Sequence, residues 1–288
     1  MKKRLGLAFG GGGSRALCHL GVLSVLAQEG IEISAIAGSS LGALLAAMYA
    51  FEPDAEAVRG RALSFFRHSH LFGRARKPSK SDGLRGGFSL PAAIKKYFRT
   101  AFVFNMLAAR PSLFKKNPAD EAVAALLPDR DIRETAVPFA CNALDMTRGL
   151  PVVFTEGSVR HAVAAGTTVA IVFPPYRWNG GYYADAAPVS CVPVRAARSL
   201  GAEVVLAVDI RTPVEPMERF RNGFDVVSRL EAISSRILND EEIASADVTI
   251  RPGGLDVFWG DFSDVDAIAR LGEEAARSAL PAIRRALK

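Results

Sequence analysis

An apolar run, Leu5 to Phe9, ends at four consecutive glycines, Gly10 to Gly13. Apolar residues then return at helical spacing, in Leu17, Leu20, Leu23 and Ala27. Glycine loses more conformational freedom on folding than any other residue, so four in a row need a use that outweighs the cost. The flanking pattern supplies one. A strand over residues 4–9 and a helix over Ser14–Gln28, closed by Gly30, put the glycines at a helix N-terminus. Bare amides there, with the helix dipole behind them, make a site for negative charge.

A similar unit follows. Ile31 to Ala37 reads as a second strand and Leu41 to Ala50 as a second helix. This opening predicts an α/β fold, with a mostly parallel sheet covered on both faces. Segments 137–145 and 150–157 flank a turn and predict a hairpin, and Asn179-Gly180 predicts a second one. Residues 202–210 read as a buried strand, Phe224–Asp240 as a helix, 246–252 as a short strand and Val265–Leu287 as a closing helix. No repeat or linker interrupts the pattern. A single domain over 1–288 is expected, with 212–288 as a C-terminal helical extension. Residues 67–89 stand apart: Arg67, Arg74, Arg76, Lys77, Lys80 and Arg85 face one acid, Asp82, and predict a long exposed basic loop.

Charge narrows the partners. A net charge of +6 favours anionic partners without choosing among nucleic acid, phosphate esters and acidic membranes. Nucleic-acid readers interleave aromatics with bases on a defined element. Here Phe65, Phe66, Phe72 and Phe88 lie in or beside an irregular loop. That mixture suits anionic lipid, so peripheral membrane contact through the loop is expected and nucleic acid is not. The three cysteines, Cys18, Cys141 and Cys191, are odd in number and widely spaced, which suits buried thiols in a reducing compartment rather than disulfides or a zinc site. The N-terminal "MKKRLGLAFGGGG" starts like a signal peptide, but its apolar part fails at the glycines. The uncharged stretch Ser34–Phe51 approaches a membrane span in length, yet its serines and glycines read as strand–turn–helix. A cytoplasmic protein is expected, in peripheral contact with the inner face of the membrane.

The second strand-to-helix turn carries the chemistry. Gly38-Ser39-Ser40-Leu41-Gly42 is a GxSxG, which between strand and helix holds its serine on a strained turn with the hydroxyl exposed beyond the sheet. Ser40 is the candidate nucleophile, and Gly38 and Gly42 relieve crowding around it. A serine needs a base. The only histidines are His19, His68, His70 and His161, and residues 162–288 contain none, so a Ser-His-Asp order is not expected. A carboxylate remains. Asp145, Asp185 and Asp209 each end a strand-like segment, and Asp185 stands out among small residues that permit close approach. Acting alone, such an acid must be dry enough for its pKa to rise. Acyl attack by Ser40 would create an oxyanion, and the glycine amides are placed to meet it, with Arg15 adding charge or anchoring the loop.

Together these residues resemble the patatin-like phospholipases, whose pattern is GGGxR/K-G after the first strand, GxSxG after the second and Asp-Gly-Gly/Ala late in the domain. Here the three read Gly11-Gly12-Gly13-Ser14-Arg15-Ala16, Gly38 to Gly42, and Asp185-Ala186-Ala187. The resemblance implies a three-layer α/β/α fold and a Ser-Asp dyad. It implies Ser40 as nucleophile, Asp185 as base, and Gly11, Gly12 and Gly13 as oxyanion hole. The implied reaction is hydrolysis of lipid acyl esters, of phospholipase A or lysophospholipase type, through an acyl-enzyme without metal or cofactor. Alanine stands where the family has glycine at Ala16 and Ala186, which would strain the chain only where φ is positive.

Two other readings make different predictions. Gly11-x-Gly13-x-x-Ala16 fits a relaxed dinucleotide fingerprint, which requires an acid near the end of the second strand. That strand ends at Ala37-Gly38, with Glu32 at its beginning. The other reading is a non-catalytic lipid- or partner-binding protein on the same scaffold.

Overall fold

A computed structural model describes residues 3–68 and 110–288. Most of the expected basic loop, from residue 69 onward, lies outside the described residues. Arg67 and His68 end a helix instead, and Arg67 pairs with Asp266 at 2.8 Å.

Strand β1 (Leu5–Phe9) leads through the glycines and a 3-10 turn (Gly13–Leu17) into α1 (Cys18–Gln28). Then come β2 (Ala35–Gly38), α2 (Leu41–Phe51) and α3 (Ala55–His68). Beyond residue 110 the chain forms α4 (Ala119–Leu126), β3 (Phe139–Asp145), β4 (Leu150–Phe154) and α5 (Val159–Gly166). Next are β5 (Tyr176–Trp178), β6 (Gly181–Ala184), α6 (Ala187–Ser190), α7 (Val194–Ser199) and β7 (Val204–Val208). The last elements are α8 (Gly223–Ile243), β8 (Val248–Ile250) and α9 (Val265–Ala286).

One sheet runs β5-β6-β3-β2-β1-β7-β8, with β4 on the remaining edge of β3. Strands β1, β2, β3, β7 and β8 are parallel, and the two hairpins supply the antiparallel part. Asn179 and Gly180 both take positive φ, 46° and 78°, as a two-residue hairpin turn demands. The segment 212–288 is therefore more than a helical extension. Its short β-run, Val248–Ile250, finds an open parallel edge on β7 and widens the sheet.

The two faces of the sheet differ in side-chain size. Leu5, Leu7, Phe9, Ile36, Phe139 and Leu206 point to the large core shared with α1, α2 and α9. Ala8, Ala37, Ala140 and Ala207 point the other way, where α7 packs through Val194 and Ala197. Helices thus cover both faces, a three-layer α/β/α arrangement. Helix α1 is buried from Cys18 to Leu26 because α9 lies along its outer side. The two backbones touch: a methyl on Gly272 would overlap the Cys18 carbonyl, and one on Gly21 the Ala269 carbonyl. Among the described residues no helix is long and apolar enough to cross a membrane.

Candidate active site

The topology decides which aspartate meets Ser40. Strand β3 has two edges, and β4 occupies one from Cys141 to Asp145. On the other edge, β2 pairs with Phe139, Ala140 and Cys141, and β6 pairs with Leu144 and Asp145. Strand β2 runs up that edge and β6, being antiparallel, runs down it. The residues just past their ends, Ser40 and Asp185, arrive at one point. The Ser40 hydroxyl lies near enough to the Asp185 carboxylate to favour its ionised form, and the Ala187 amide donates to Asp185 Oδ1 at 2.8 Å.

Ser40 takes φ 52°, a conformation that L residues rarely adopt, as the last residue before α2. The elbow is tight. A methyl on Gly42 would lie 2.5 Å from the Gly10 carbonyl oxygen, and one on Gly38 would lie 2.5 Å from Ala43 Cα. Asp185 is nearly enclosed, and burial raises its pKa to about 6 even though nearby Ser40 and the Ala187 amide both favour the charged form. Asp209 is buried too, but Arg211 and Arg251 hold it at 2.9 and 3.1 Å, so its pKa falls despite desolvation. Asp145 is spent on the amides of Thr147 and Arg148, in the turn of the first hairpin.

The glycine run passes directly over the serine: a methyl on Gly11 would sit 2.9 Å from Ser40 Cβ. Its amides are not equivalent. Gly10 donates to Val208 and Gly11 to Cys191, at 3.1 and 2.9 Å. The amides of Gly12 and Gly13 have no hydrogen-bond partner among the described residues. Arg15 Nε donates to the Gly12 carbonyl at 3.1 Å and so anchors the loop by its oxygen side. Gly13 has φ 59°, and the Trp259 carbonyl fills the space a side chain would need. Ala16 and Ala186 carry no strain. Neither has positive φ, and Ala186 sits at φ −83° before α6.

Sequence reasoning missed three further residues around the loop. His19 is fully buried, stacked on Phe9 at 4.2 Å, with Nε2 2.8 Å from the Gly10 carbonyl. A carbonyl only accepts, so Nε2 carries the proton, and Nδ1 is left without a partner. Burial lowers its pKa to about 4 and keeps the ring neutral. Cys191 pairs with Gly11 twice, since its carbonyl accepts from the Gly11 amide and its thiol donates to the Gly11 carbonyl at 3.3 Å. Asn239, from α8, holds the turn that carries Cys191. The all-round apolar character of α1 was the available signal for His19, because such a helix is enclosed. Nothing local marks Asn239.

Strand β2 ends without an acid, so the dinucleotide reading loses the carboxylate it requires. Among the described residues no group of His, Cys, Asp and Glu is arranged to hold a metal ion.

A family profile described as patatin-like phospholipase matches residues 7–198. The chain belongs to the patatin-like phospholipases. Relatives include the lysophospholipases NTE1 of Phaeosphaeria nodorum and Saccharomyces cerevisiae, 28% identical over 209 residues and 25% over 228. A patatin-like phospholipase domain-containing protein of Caenorhabditis elegans is 26% identical over 251 residues. These matches cover 72%, 77% and 84% of this chain but 12%, 12% and 16% of those proteins, so the patatin-like chain spans a small fraction of its curated relatives. Among solved structures, it is similar to VipD from Legionella pneumophila, with TM-score 0.48 and 14% identity over 97% of this chain and 67% of that one. It is similar also to human GIVD cytosolic phospholipase A2, with TM-score 0.48 and 12% identity over 99% and 59% of the two chains.

Proposed function

We propose that this patatin-like chain hydrolyses acyl esters of lipids, of phospholipase A or lysophospholipase type, with a Ser40–Asp185 dyad. The observation that carries the reading is the convergence of a strained elbow serine and a dry carboxylate, brought together from distant parts of the chain by two strands that share one edge of β3. Ionised Asp185 takes the Ser40 proton as Oγ attacks the ester carbonyl. The amides of Gly12 and Gly13 meet the oxyanion, while Gly11, tied to Cys191, sets their position. Protonated Asp185 then gives its proton to the departing alkoxide, leaving an acyl-serine. Water attacks the acyl-serine and loses a proton to Asp185, which returns it to Ser40 Oγ as that oxygen leaves, releasing the fatty acid and restoring the dyad. Arg15 and His19 fix the carbonyl side of the loop, at Gly12 and Gly10, and leave the Gly12 and Gly13 amides uncommitted.

A fluorophosphonate label and fatty-acid release from lysophosphatidylcholine and diacylphosphatidylcholine test this reading. Wild type should label and release fatty acid, and folded Ser40→Ala should do neither. Labelling that survives in Ser40→Ala would assign the reactive group elsewhere. A folded wild type without labelling or turnover would favour the non-catalytic binding protein.

A further inference from the structure

The five-residue turn 187–191 links the two halves of the site. At its start the Ala187 amide donates to Asp185 Oδ1 at 2.8 Å. At its end the Cys191 carbonyl accepts from the Gly11 amide at 2.9 Å. The spacing between acid and glycine loop therefore depends on the shape of this turn. Two asparagines grip it from outside. Asn239 of α8, only 1% exposed, accepts from the Cys191 amide at 2.5 Å and donates to the Ala187 carbonyl at 3.0 Å, spanning the turn end to end. Asn142 of β3, 2% exposed, donates to the Ser190 carbonyl and hydroxyl at 2.6 and 2.9 Å.

We propose that Asn239 and Asn142 are positioning residues that together hold the 187–191 turn, and through it set the distance between the Asp185 carboxylate and the glycine-loop amides. Neither touches the reacting atoms. Asn239 supplies both donor and acceptor and Asn142 a donor, all without charge, so they order the turn without adding an ion beside the acid. Asn239 is the first buried residue of α8; the four turns before it stand clear of the core. An element so lightly held elsewhere has little reason to bury an asparagine unless its hydrogen bonds are needed.

The role in catalysis rests on the hydrolase reading, whereas the clamp itself is readable without turnover. Asn239→Leu keeps the volume and removes every bond. Expected are a fall in kcat of about 100-fold with KM nearly unchanged, as for a small misplacement of reacting groups. The Asp185 carboxyl, followed by carbon-13 NMR, should titrate at higher pH because the Ala187 donor is lost, and the Gly11 amide should exchange faster with solvent. Ile243→Ala, one turn further along α8 and at a residue that makes no hydrogen bond to the 187–191 turn, is the control for plain destabilisation, and its kcat and Asp185 titration should stay at wild-type values. Asn142→Ala should repeat the Asn239→Leu effects in weaker form, and carries the test if Asn239→Leu does not fold. An unmoved Asp185 titration and Gly11 exchange overturn the clamp. Moved signals with unchanged kcat overturn its catalytic role. Moved signals in a protein whose wild type has no turnover keep the clamp and reject the hydrolase.

Discussion

The Gly11 amide donates to the Cys191 carbonyl at 2.9 Å, so the first amide over Ser40 is committed to structure before any substrate arrives. Its commitment divides the glycine run into a fixed root, Gly10 and Gly11, and a free tip, Gly12 and Gly13.

The tip residues should respond differently to a methyl group. At Gly12 a new Cβ meets two side chains, Ile210 at 3.0 Å and Arg15 Nε at 3.4 Å, and φ is 167°, open to any residue. Gly12→Ala should fold, losing less than about 1 kcal/mol. At Gly13 both the positive φ and the Trp259 carbonyl exclude a side chain, so Gly13→Ala should lose about 3 kcal/mol or more. Urea unfolding of the two variants measures the contrast.

Ser40 pays a conformational cost for its place at the elbow. Ser40→Ala and Ser40→Gly should both be inactive and unlabelled by fluorophosphonate. Glycine relieves φ 52° and alanine does not, so Ser40→Gly should be the more stable of the two by about 1 kcal/mol. Equal midpoints in urea would show that the elbow stores no strain.

Two of the buried aspartates, Asp185 and Asp209, should separate cleanly. Asp185→Asn should lower kcat at least about 100-fold, the scale of a general base. Asp209→Asn should keep labelling and turnover while lowering stability by about 2 kcal/mol, because Arg211 and Arg251 lose their shared partner. Activity lost with Asp209 and kept without Asp185 would reverse the assignment.

Acidity acts on the site through two groups of opposite sign. Burial raises Asp185 from 3.8 to about 6, so its contribution to stability is full below about pH 4 and lost as pH rises through 6. Burial lowers His19 from 6.5 to about 4, so its contribution is full above pH 6.5 and lost as pH falls through 4. Each is worth about 3 kcal/mol across the window. Relative to wild type, Asp185→Asn should gain stability as pH rises from 4 to 7, and His19→Gln should gain it as pH falls over the same range. Thermal melts at both pH values read the crossing. Turnover by the wild type should rise with pH through about 6, as Asp185 ionises.

The elements legible in the sequence are those set by local pattern. The strand–glycine–helix opening, the GxSxG elbow and the Asn179-Gly180 hairpin appear where periodicity and turn chemistry place them. The second strand is shorter than expected, Ala35–Gly38 rather than Ile31–Ala37, because its pairing with β1 begins only at Gly6 opposite Ala35. The selection of Asp185 by topology was not legible. It follows from β2 and β6 sharing one edge of β3, a relation between segments more than a hundred residues apart. The commitment of the Gly11 amide is likewise long-range, made by Cys191.

Main-chain donors have a consequence for inheritance. Only proline lacks the backbone N–H, and no single-base substitution turns a glycine codon into a proline codon, so one such step cannot delete the amides of Gly12 and Gly13; it can only redirect them. In the proposed mechanism the reactive chemistry is instead concentrated in two side chains, Ser40 and Asp185, neither of which belongs to a strand of the sheet. A lineage can therefore shed the activity in a single step and keep the fold and every outer surface, so descendants silent toward esters are the cheapest novelty this architecture can produce.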